Sequence, residues 1–227
     1  MVGWQFSGTP YEAGVLELAG PERLICNLQK LDCVTFVESS LAIARISKLG
    51  QPTFESFQDE LRQIRYRDGR SNDYANRFHY FYDWVASNER RGLVHDMTAE
   101  SGGVPRVKAI HYMTSHRTLY PRLADSAVLE KIRHCEEQLS KKPFAILPKA
   151  QISAALTMIR SGDILAIASA TAGLDVSHVG IAHRDAAGAI RLLHASSVSK
   201  RVELSEPLLR YLRSRPKVEG LLIIRPL

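Results

Sequence analysis

Residues 31–38 read Leu-Asp-Cys-Val-Thr-Phe-Val-Glu, and this stretch predicts a helix that begins with a cysteine in its first turn. Asp32 is suited to the N-cap, because its carboxylate can accept hydrogen bonds from the free backbone N–H groups of the next turn. Apolar side chains then recur at helical spacing, which predicts that one face of the helix packs against a core. These residues are Val34, Val37, Leu41 and Ala44.

Cys33 is the residue of this stretch that could act chemically. The backbone dipole at the start of a helix favours negative charge, so we expect a lowered pKa for the Cys33 thiol. The sulfur would then be a nucleophile near neutral pH. A buried structural cysteine, which behaves as a small apolar side chain, is the alternative that this stretch alone leaves open.

The composition indicates a chain with one sizeable hydrophobic core. It has 227 residues, 45% of them hydrophobic, and no apolar run is long enough to span a bilayer. We therefore expect a single domain over residues 1–227. Residues 1–6 do not resemble a signal peptide, so the protein is expected to be either cytosolic or the mature form of an exported protein.

The formal net charge of +6 favours anionic partners. Nucleic acid is not the expected partner, because the sequence has no zinc-ligand spacing, no glycine-rich phosphate loop and no basic run with interleaved aromatic residues. A carboxylate-rich polymer such as the bacterial cell wall suits the positive charge of the chain as well as nucleic acid does. The three cysteines, Cys26, Cys33 and Cys135, are too few for a disulfide scaffold, and their odd number leaves at least one thiol free.

The order of the expected elements favours an α+β fold with an antiparallel sheet, because helices come first and short strands come last. Helices are expected over 33–48, from 53 or 56 to about 64, and over 74–84, 126–139 and 149–160. Strands are expected over 164–168, 176–182, 189–195, 201–204 and 221–225, with a hairpin turn at 185–188 and a loop at 92–106.

Two of the expected strands each carry a histidine, in Ser-His-Val-Gly at 177–180 and in Leu-His-Ala-Ser at 193–196. Neighbouring antiparallel strands can bring both imidazoles close to a helix start that packs on the sheet. A cysteine hydrolase needs this arrangement, with Cys33 as nucleophile, His178 as base and His194 orienting the base. The same three residues could instead bind zinc, but no closely spaced ligand pair supports that alternative, and we expect no metal or cofactor.

The segment 74–84 holds many of the aromatic residues, and we expect it to be a helix with a broad apolar face. Ordinary core packing is the interpretation we favour for Phe78, Phe81 and Trp84. Phenol, imidazole and guanidinium groups suit contacts with a sugar or peptide. The expected substrate contacts are Tyr66, Arg67, Tyr74, Arg77, His79 and Ser177.

Several motifs occur in the order seen in the NlpC-type cell-wall cysteine peptidases. They are Gly-Thr-Pro-Tyr at 8–11, Asp-Cys at 32–33, Ser-Gly-Asp at 161–163, Ser-His-Val-Gly at 177–180 and His-Ala-Ser at 194–196. More narrowly, the chain resembles the N-acetylmuramoyl-L-alanine amidase-like family over nearly its whole length. That closer resemblance rests on residues 31–38, Arg-Tyr-Arg-Asp-Gly at 65–69, Arg-Phe-His-Tyr-Phe-Tyr-Asp-Trp at 77–84 and His-Ala-Ser-Ser at 194–197.

The resemblance implies a papain-like α+β core, with the cysteine helix packed on an antiparallel sheet, and a mostly helical insertion over about 65–125 that shapes the cleft. It implies hydrolysis of the amide between the lactyl group of muramic acid and L-Ala of the stem peptide. Soluble anhydro-muropeptides are the expected substrates, with peptidoglycan fragments as partners and a periplasmic or exported location. Tyr11 would line the oxyanion site, and Asp32 would help to position the nucleophile.

Two other functions remain open at this point. Asp-Cys-Val-Thr at 32–35 replaces the Asp-Cys-Ser-Gly that is usual in the superfamily, which puts the superfamily's commoner cleavage after γ-D-Glu in doubt. A γ-D-glutamyl-diamino acid endopeptidase is nevertheless the second candidate enzyme. A muropeptide-binding module without activity is the other alternative, although it would have no need of Cys33, His178 and His194 together.

Overall fold

An eight-stranded antiparallel sheet and seven α-helices form the regular structure of the computed structural model, which describes residues 1–50 and 52–227. The strands are β1 (Val94–Asp96), β2 (Val104–Arg106), β3 (Phe144–Pro148), β4 (Ile164–Ser169), β5 (Val176–Arg184), β6 (Ile190–Ser196), β7 (Arg201–Pro207) and β8 (Val218–Pro226). The helices are α1 (Cys33–Lys48), α2 (Phe54–Arg65), α3 (Phe81–Arg90), α4 (Tyr112–Ser115), α5 (Ser126–Ser140), α6 (Ile152–Ala155) and α7 (Leu208–Arg213). The expected α+β class and antiparallel sheet are confirmed.

The strand order is β2-β3-β8-β4-β5-β6-β7, and the short β1 pairs with the end of β8. Strands β4 to β7 are neighbours in sequence and in the sheet, as expected for antiparallel strands joined by short connections. The last strand, β8, enters the middle of the sheet between β3 and β4. Gly220 allows β3 to come close, because a Cβ atom at this position would collide with the carbonyl oxygen of Leu147.

Helix α1 is packed against one face of the sheet and is buried more completely than the sequence predicts. Phe36 and Val37 are fully buried beside β5 and β6. The predicted face included Val34 and Ala44, but Val34 is only half-buried and Ala44 is exposed. Residues 35–42 are instead buried on every side, because neighbouring segments cover the outer face of the helix.

The other face of the sheet is covered by the segment around α6 and by α7. Buried side chains of this layer include Ile152, Ile159, Leu208 and Leu212. The expected helix over 149–160 is confirmed only at 152–155. Beyond α6 the Arg184 guanidinium donates to the carbonyl oxygens of Leu156 and Ile159, which are therefore bonded from outside the segment.

The aromatic segment 74–84 is not one helix, which corrects the prediction. Its first residues form a short 3-10 turn, residues 77–80 are extended, and α3 begins only at Phe81. Tertiary pairing decides this, because Arg77 bridges to Tyr66 and the Phe78 amide donates to the Arg65 carbonyl at 3.0 Å. Strands β1, β2 and β3 and helices α4 and α7 were not predicted as separate elements, and β1 and β2 lie in the expected loop 92–106.

The segment 106–140 packs beside the start of β5 and has a small core of its own. Ile110, Met113, Leu123 and Ile132 belong to this core. The backbone amides of His111 and Tyr112 both donate to the carbonyl oxygen of Gly173, at 3.1 Å each. This contact holds the loop that leads into β5. No helix in the described part of the chain is long and apolar enough to cross a membrane.

Candidate active site

Cys33 is the first residue of α1, as the sequence predicts. The Asp32 side chain accepts the backbone N–H of Thr35 at 2.8 Å, and the Asp32 amide donates to the Thr35 hydroxyl at 2.9 Å. The reciprocal bonds form a capping box, which gives the helix a fixed first turn. The N-cap prediction for Asp32 is therefore confirmed, and Cys33 is held at a rigid helix start.

The two strand histidines meet at the end of the β5–β6 hairpin. The ladder between these strands runs as far as the pair Ile181–Leu193, and both histidines lie beyond it toward the same end. His178 Nε2 and His194 Nδ1 are 2.8 Å apart, with the ring planes perpendicular and the centroids 4.8 Å apart. Because Nε2 of His178 makes this hydrogen bond, Nδ1 is the nitrogen of His178 that remains available for proton transfer.

One cavity brings Cys33 and His178 together. It is formed by the start of α1, the start of β5 and the segment leading into α3. The backbone amide of Val179 lies near the Cys33 sulfur, which places the thiol against β5 next to His178. The cavity is lined by Cys33, Val34, Phe78, His79, Tyr80, Phe81, Trp84, Leu174, Asp175, Val176, Ser177, His178 and Val179.

The thiol is neutral in this structure, which corrects the expectation of a lowered pKa. Burial raises the pKa of Cys33 from 9.0 to about 12, and the charge of Asp32 adds to the increase. Backbone amides of Val179, Cys33 and Val34 act in the opposite direction, as a helix start should. Removal of water from the sulfur outweighs them, because desolvation opposes the charged form.

The imidazoles are neutral as well. Burial, together with His194 and the nearby Arg215, lowers the pKa of His178 from 6.5 to about 3. Burial also lowers the pKa of His194 to about 4, and Glu203 on the adjacent strand only partly opposes this. The site therefore rests as an uncharged thiol beside uncharged imidazoles at neutral pH.

Tyr11, in the N-terminal segment, lies near Cys33 without lining the cavity. Its backbone amide donates to Lys200 at 2.9 Å, and it forms a parallel bridge with Leu31 just before the cysteine helix. Burial raises the pKa of its phenol, and the nearby Cys33 and Asp32 add to the increase. Tyr11 is therefore a protonated hydroxyl close to Cys33, able to donate a hydrogen bond.

Two residues that the sequence analysis missed belong to this region. Asp175 is 2% exposed, lines the cavity and accepts the backbone N–H of Tyr82 at 2.8 Å. Tyr211 of α7 packs its ring edge against His194 at 5.2 Å, and Arg215 lies over Tyr211 at 3.5 Å. Asp175 stands three residues before His178, but its partner is 93 residues away, so only the fold reveals the pair.

Comparison with known proteins identifies the family of the chain. The model of the AmiA-like family, described as N-acetylmuramoyl-L-alanine amidase-like, matches residues 1–221. The chain belongs to this family.

Three solved structures are similar to this amidase-like chain. An N-acetylmuramoyl-L-alanine amidase from Bacteroides uniformis has 38% identity and a TM-score of 0.93, with 99% of this chain and 95% of that chain covered. A candidate xylanase from Bacteroides fragilis has 37% identity and a TM-score of 0.92, with 98% of both chains covered. A Legionella pneumophila protein with 23% identity and a TM-score of 0.75 shares the fold, with 100% and 87% covered. Among curated proteins, no match is significant.

In this amidase-like chain, three of the expected substrate contacts are buried elsewhere. Tyr66 is 1% exposed and donates to Glu22 at 2.8 Å. Tyr74 is 4% exposed, and its ring lies against the Arg77 guanidinium. Arg77 is 2% exposed and forms ion pairs with Glu17 and Glu22. These residues hold the segment before Cys33 in place, so their predicted role in substrate contact is corrected.

Arg67 is also directed away from Cys33. Its guanidinium bonds the carboxylate of Asp83, the carbonyl oxygen of Ala75 and the sulfur of Cys135, and it lines a separate cavity. Arg67 therefore does not line the Cys33 cavity, and its contact with a substrate stays a prediction.

The structure does place His79 and Ser177 at the Cys33 cavity. Nε2 of His79 bonds the carbonyl oxygen of Tyr74 at 2.8 Å, and burial lowers the pKa of this imidazole well below 6.5. Phe81 and Trp84 stack with centroids 4.9 Å apart and form an aromatic wall of the same cavity. The part of the aromatic segment 74–84 that lines the cavity is therefore residues 78–81 and Trp84, and residues 74–77 do not line it.

The zinc alternative required Cys33, His178 and His194 to face one ion. The nitrogens of the two imidazoles instead face each other at hydrogen-bond distance. Within residues 1–50 and 52–227, no group of three histidine, cysteine, aspartate or glutamate side chains has a geometry that could hold a metal ion.

Proposed function

We propose that the chain is a peptidoglycan amidase that cuts the amide between N-acetylmuramic acid and L-Ala of the stem peptide, with Cys33 as nucleophile. One observation carries the proposal. Cys33 at a helix start shares a cavity with His178, whose far nitrogen is bonded to His194. Membership of the amidase-like family supports the substrate class.

The proposed reaction begins from the neutral pair. As the Cys33 sulfur attacks the scissile carbonyl, its proton passes to Nδ1 of His178, because Nε2 is bonded to His194. The tetrahedral oxyanion forms beside the Tyr11 hydroxyl, which can donate to it. His194 keeps the His178 ring in position and stabilises the positive charge that the ring acquires.

The carbon–nitrogen bond then breaks, and His178 gives its proton to the departing amine of L-Ala. A thioester between Cys33 and the muramoyl group remains. A water molecule attacks this thioester with His178 again accepting a proton, and the sulfur recovers that proton as the carboxylic acid leaves. Burial of the thiol means that the ion pair exists only during attack, when the oxyanion site can stabilise the charge that develops.

The proposal extends to the superfamily and to the setting of the enzyme. A helix-start cysteine packed beside a strand-borne histidine fits the papain-like, NlpC-type arrangement that the sequence resembles. We propose that residues 1–227 act as one domain, with the segment of about 65–125 forming the cleft wall through residues 78–81 and Trp84. Anhydro-muropeptides remain the proposed substrates, and an exported or periplasmic location follows from them.

A glycosidase is the less suitable function, although one similar structure is that of a candidate xylanase. Most glycosidases need two carboxyl groups roughly 5–9.5 Å apart on either side of the bond that is cut. Asp175 is the one carboxylate among the residues that line the Cys33 cavity, and it caps α3. The cavity therefore offers a thiol and imidazoles for acyl transfer, not a carboxylate pair.

The decisive experiment is digestion of a defined anhydro-disaccharide-tetrapeptide followed by mass analysis of the products. We expect free disaccharide and intact tetrapeptide. A disaccharide that still carries L-Ala-D-Glu would indicate the γ-D-glutamyl endopeptidase, and binding without any product would indicate the inactive binding module.

The Cys33→Ser variant tests the nucleophile in the same assay. We expect it to lose turnover by several orders of magnitude while keeping its fold. Cys26→Ser and Cys135→Ser are matched controls, because neither residue lines the Cys33 cavity, and both should stay active. Loss of activity with a chelator and its recovery with zinc would favour the metal alternative instead.

A further inference from the structure

The Cys33 cavity has a charge opposite to that of the whole chain. The formal net charge is +6, yet neither lysine nor arginine is among the residues that line the cavity. Its imidazoles, His79 and His178, have lowered pKa values and are neutral. Asp175 contributes the one carboxylate. A substrate group in this cavity therefore finds aromatic walls, neutral polar groups and a negative charge.

The missing positive charge is explained by Arg65, Arg67 and Arg77, which are bonded elsewhere. The nearby Arg215 lies over the Tyr211 ring and is not among the residues that line the cavity. Arg65 is 2% exposed, bonds Glu38 at 2.7 Å and donates to the Ile25 carbonyl at 2.6 Å. Arg77 is paired with acidic residues of the N-terminal segment, and Arg67 with Asp83. These guanidinium groups, of which Arg67 and Arg77 were expected at the substrate, thus bond within the fold and do not line the cavity.

Asp175 is held beside the reacting groups by backbone bonds. Its carboxylate receives the amide of Tyr82, and the amides of Phe81, Val176 and Asp175 itself also lower its pKa. Burial outweighs them and raises the pKa to about 6, so the carboxylate is ionised at pH 8 and mostly protonated near pH 5. Because the site is removed from water, this charge is weakly screened.

We propose that Asp175 makes the Cys33 cavity selective for uncharged groups around the scissile carbonyl, so that a carboxylate at that position is rejected. This inference rests on the proposed function and refines it. The bond between muramic acid and L-Ala has uncharged groups on both sides, whereas the acyl side of a γ-D-Glu bond carries a free α-carboxylate. The same repulsion acts on the acid product, whose new carboxylate stands where the amide was, and it promotes product release.

The test compares two ligands that differ only at that carbonyl: N-acetylmuramic acid and its carboxamide. Dissociation constants are measured by ligand-observed NMR with the wild-type chain at pH 8. We expect the carboxamide to bind roughly tenfold more tightly than the acid, which corresponds to about 1.4 kcal/mol of charge repulsion. Equal affinities, or failure of the carboxamide to bind, would overturn the proposal.

Asp175→Asn removes the charge while its side-chain oxygen can still accept the Tyr82 amide. We expect the difference between the ligands to fall to about threefold or less. Asp59→Asn is the matched control, since Asp59 lies on the surface of α2 with a side chain 68% exposed, and the wild-type difference should persist. An unchanged difference in Asp175→Asn would overturn the role of this residue.

A pH titration of the wild-type chain provides the same comparison without a substitution. Near pH 5 Asp175 is mostly protonated, while N-acetylmuramic acid remains ionised, so the preference for the carboxamide should shrink. The other titratable groups that line the cavity do not change charge in this range, because Cys33 and Tyr80 have raised pKa values and His79 and His178 have lowered ones. A constant preference from pH 8 to pH 5 would contradict the proposal.

Turnover separates this inference from the function on which it rests. If the disaccharide-tetrapeptide is cut as proposed but the two ligands bind equally, only the role of Asp175 is overturned. If that substrate is not cut, the proposed amidase itself is overturned.

Discussion

The resting state of Cys33 leads to a quantitative prediction. Its pKa is raised from 9.0 to about 12, a difference of about 4 kcal/mol at 1.36 kcal/mol per pH unit. At pH 7 about one molecule in 10⁵ carries the thiolate, against about one in 10² for an ordinary thiol. The intrinsic nucleophilicity of a thiolate rises with its pKa, and this offsets about twentyfold of the loss in reaction rate. We therefore expect alkylation of Cys33 to be roughly 30- to 60-fold slower than that of an ordinary exposed thiol.

The assay is alkylation with iodoacetamide in the Cys26→Ser, Cys135→Ser double variant, so that Cys33 alone reports. The rate, measured by mass spectrometry, should rise about tenfold per pH unit between about pH 6 and pH 9 without a plateau. His178→Gln is the matched control and should leave this profile unchanged, because a neutral imidazole does not stabilise a resting thiolate.

A plateau of fast labelling below about pH 8 would refute this reasoning. It would mean that Cys33 and His178 exist as an ion pair before substrate binds, as the helix start alone predicts. In that case the plateau should disappear in His178→Gln, because the thiolate would have lost its partner.

Four further predictions concern the site and its support. His178→Ala should be nearly inactive, with a loss of at least about 10²–10⁴-fold in kcat, whereas His194→Gln should keep partial activity because the base remains; the reverse order in kinetics would exchange their roles. Tyr11→Phe should lower kcat by about 10²–10³-fold with an unchanged melting temperature, and an unchanged kcat would exclude its hydroxyl from the oxyanion site. Glu38→Ala should lower the free energy of unfolding by about 3–5 kcal/mol in urea denaturation, because it leaves Arg65 charged and unpaired in a site where both side chains are 2% exposed. Because the folded-state pKa values of His178 and His194 lie below 6.5, at about 3 and about 4, stability should fall as the pH drops from 6.5 toward 3, and His178→Gln should flatten that fall.

The elements that could be predicted are those whose signals are local. The start of α1 at Cys33, its cap at Asp32 and the strands β4 to β8 follow from short-range capping and alternation, and the structure contains all of them. The helix predicted over 74–84 was wrong because the conformation of this segment depends on contacts that are distant in sequence. Its composition suits a helix, but the bridge between Tyr66 and Arg77 keeps its middle extended.

The candidate site divides in the same way. Cys33, His178 and His194 could be selected from residue type and position, and the fold brings them to one end of the β5–β6 hairpin. Asp175 could not be selected in this way, because its place at the site depends on a hydrogen bond from a backbone amide of α3. Substrate contacts were expected at Tyr66, Tyr74 and Arg77, which the structure buries. The sequence could not distinguish a substrate contact from a structural residue here, because a guanidinium or phenol looks the same in either role.

The sequence by itself determined the fold class and the candidate residues for acyl transfer, because these depend on residue type and on spacing along a helix or strand. It indicated the family through the motifs that the chain shares with it. Only the tertiary structure decided that the thiol and imidazoles are neutral and that the cavity is negative in a positively charged chain. The physical reason is that charge state depends on burial and on neighbours distant in sequence. The pKa of Cys33 shows this most directly, because desolvation outweighs the helix start that the sequence makes visible.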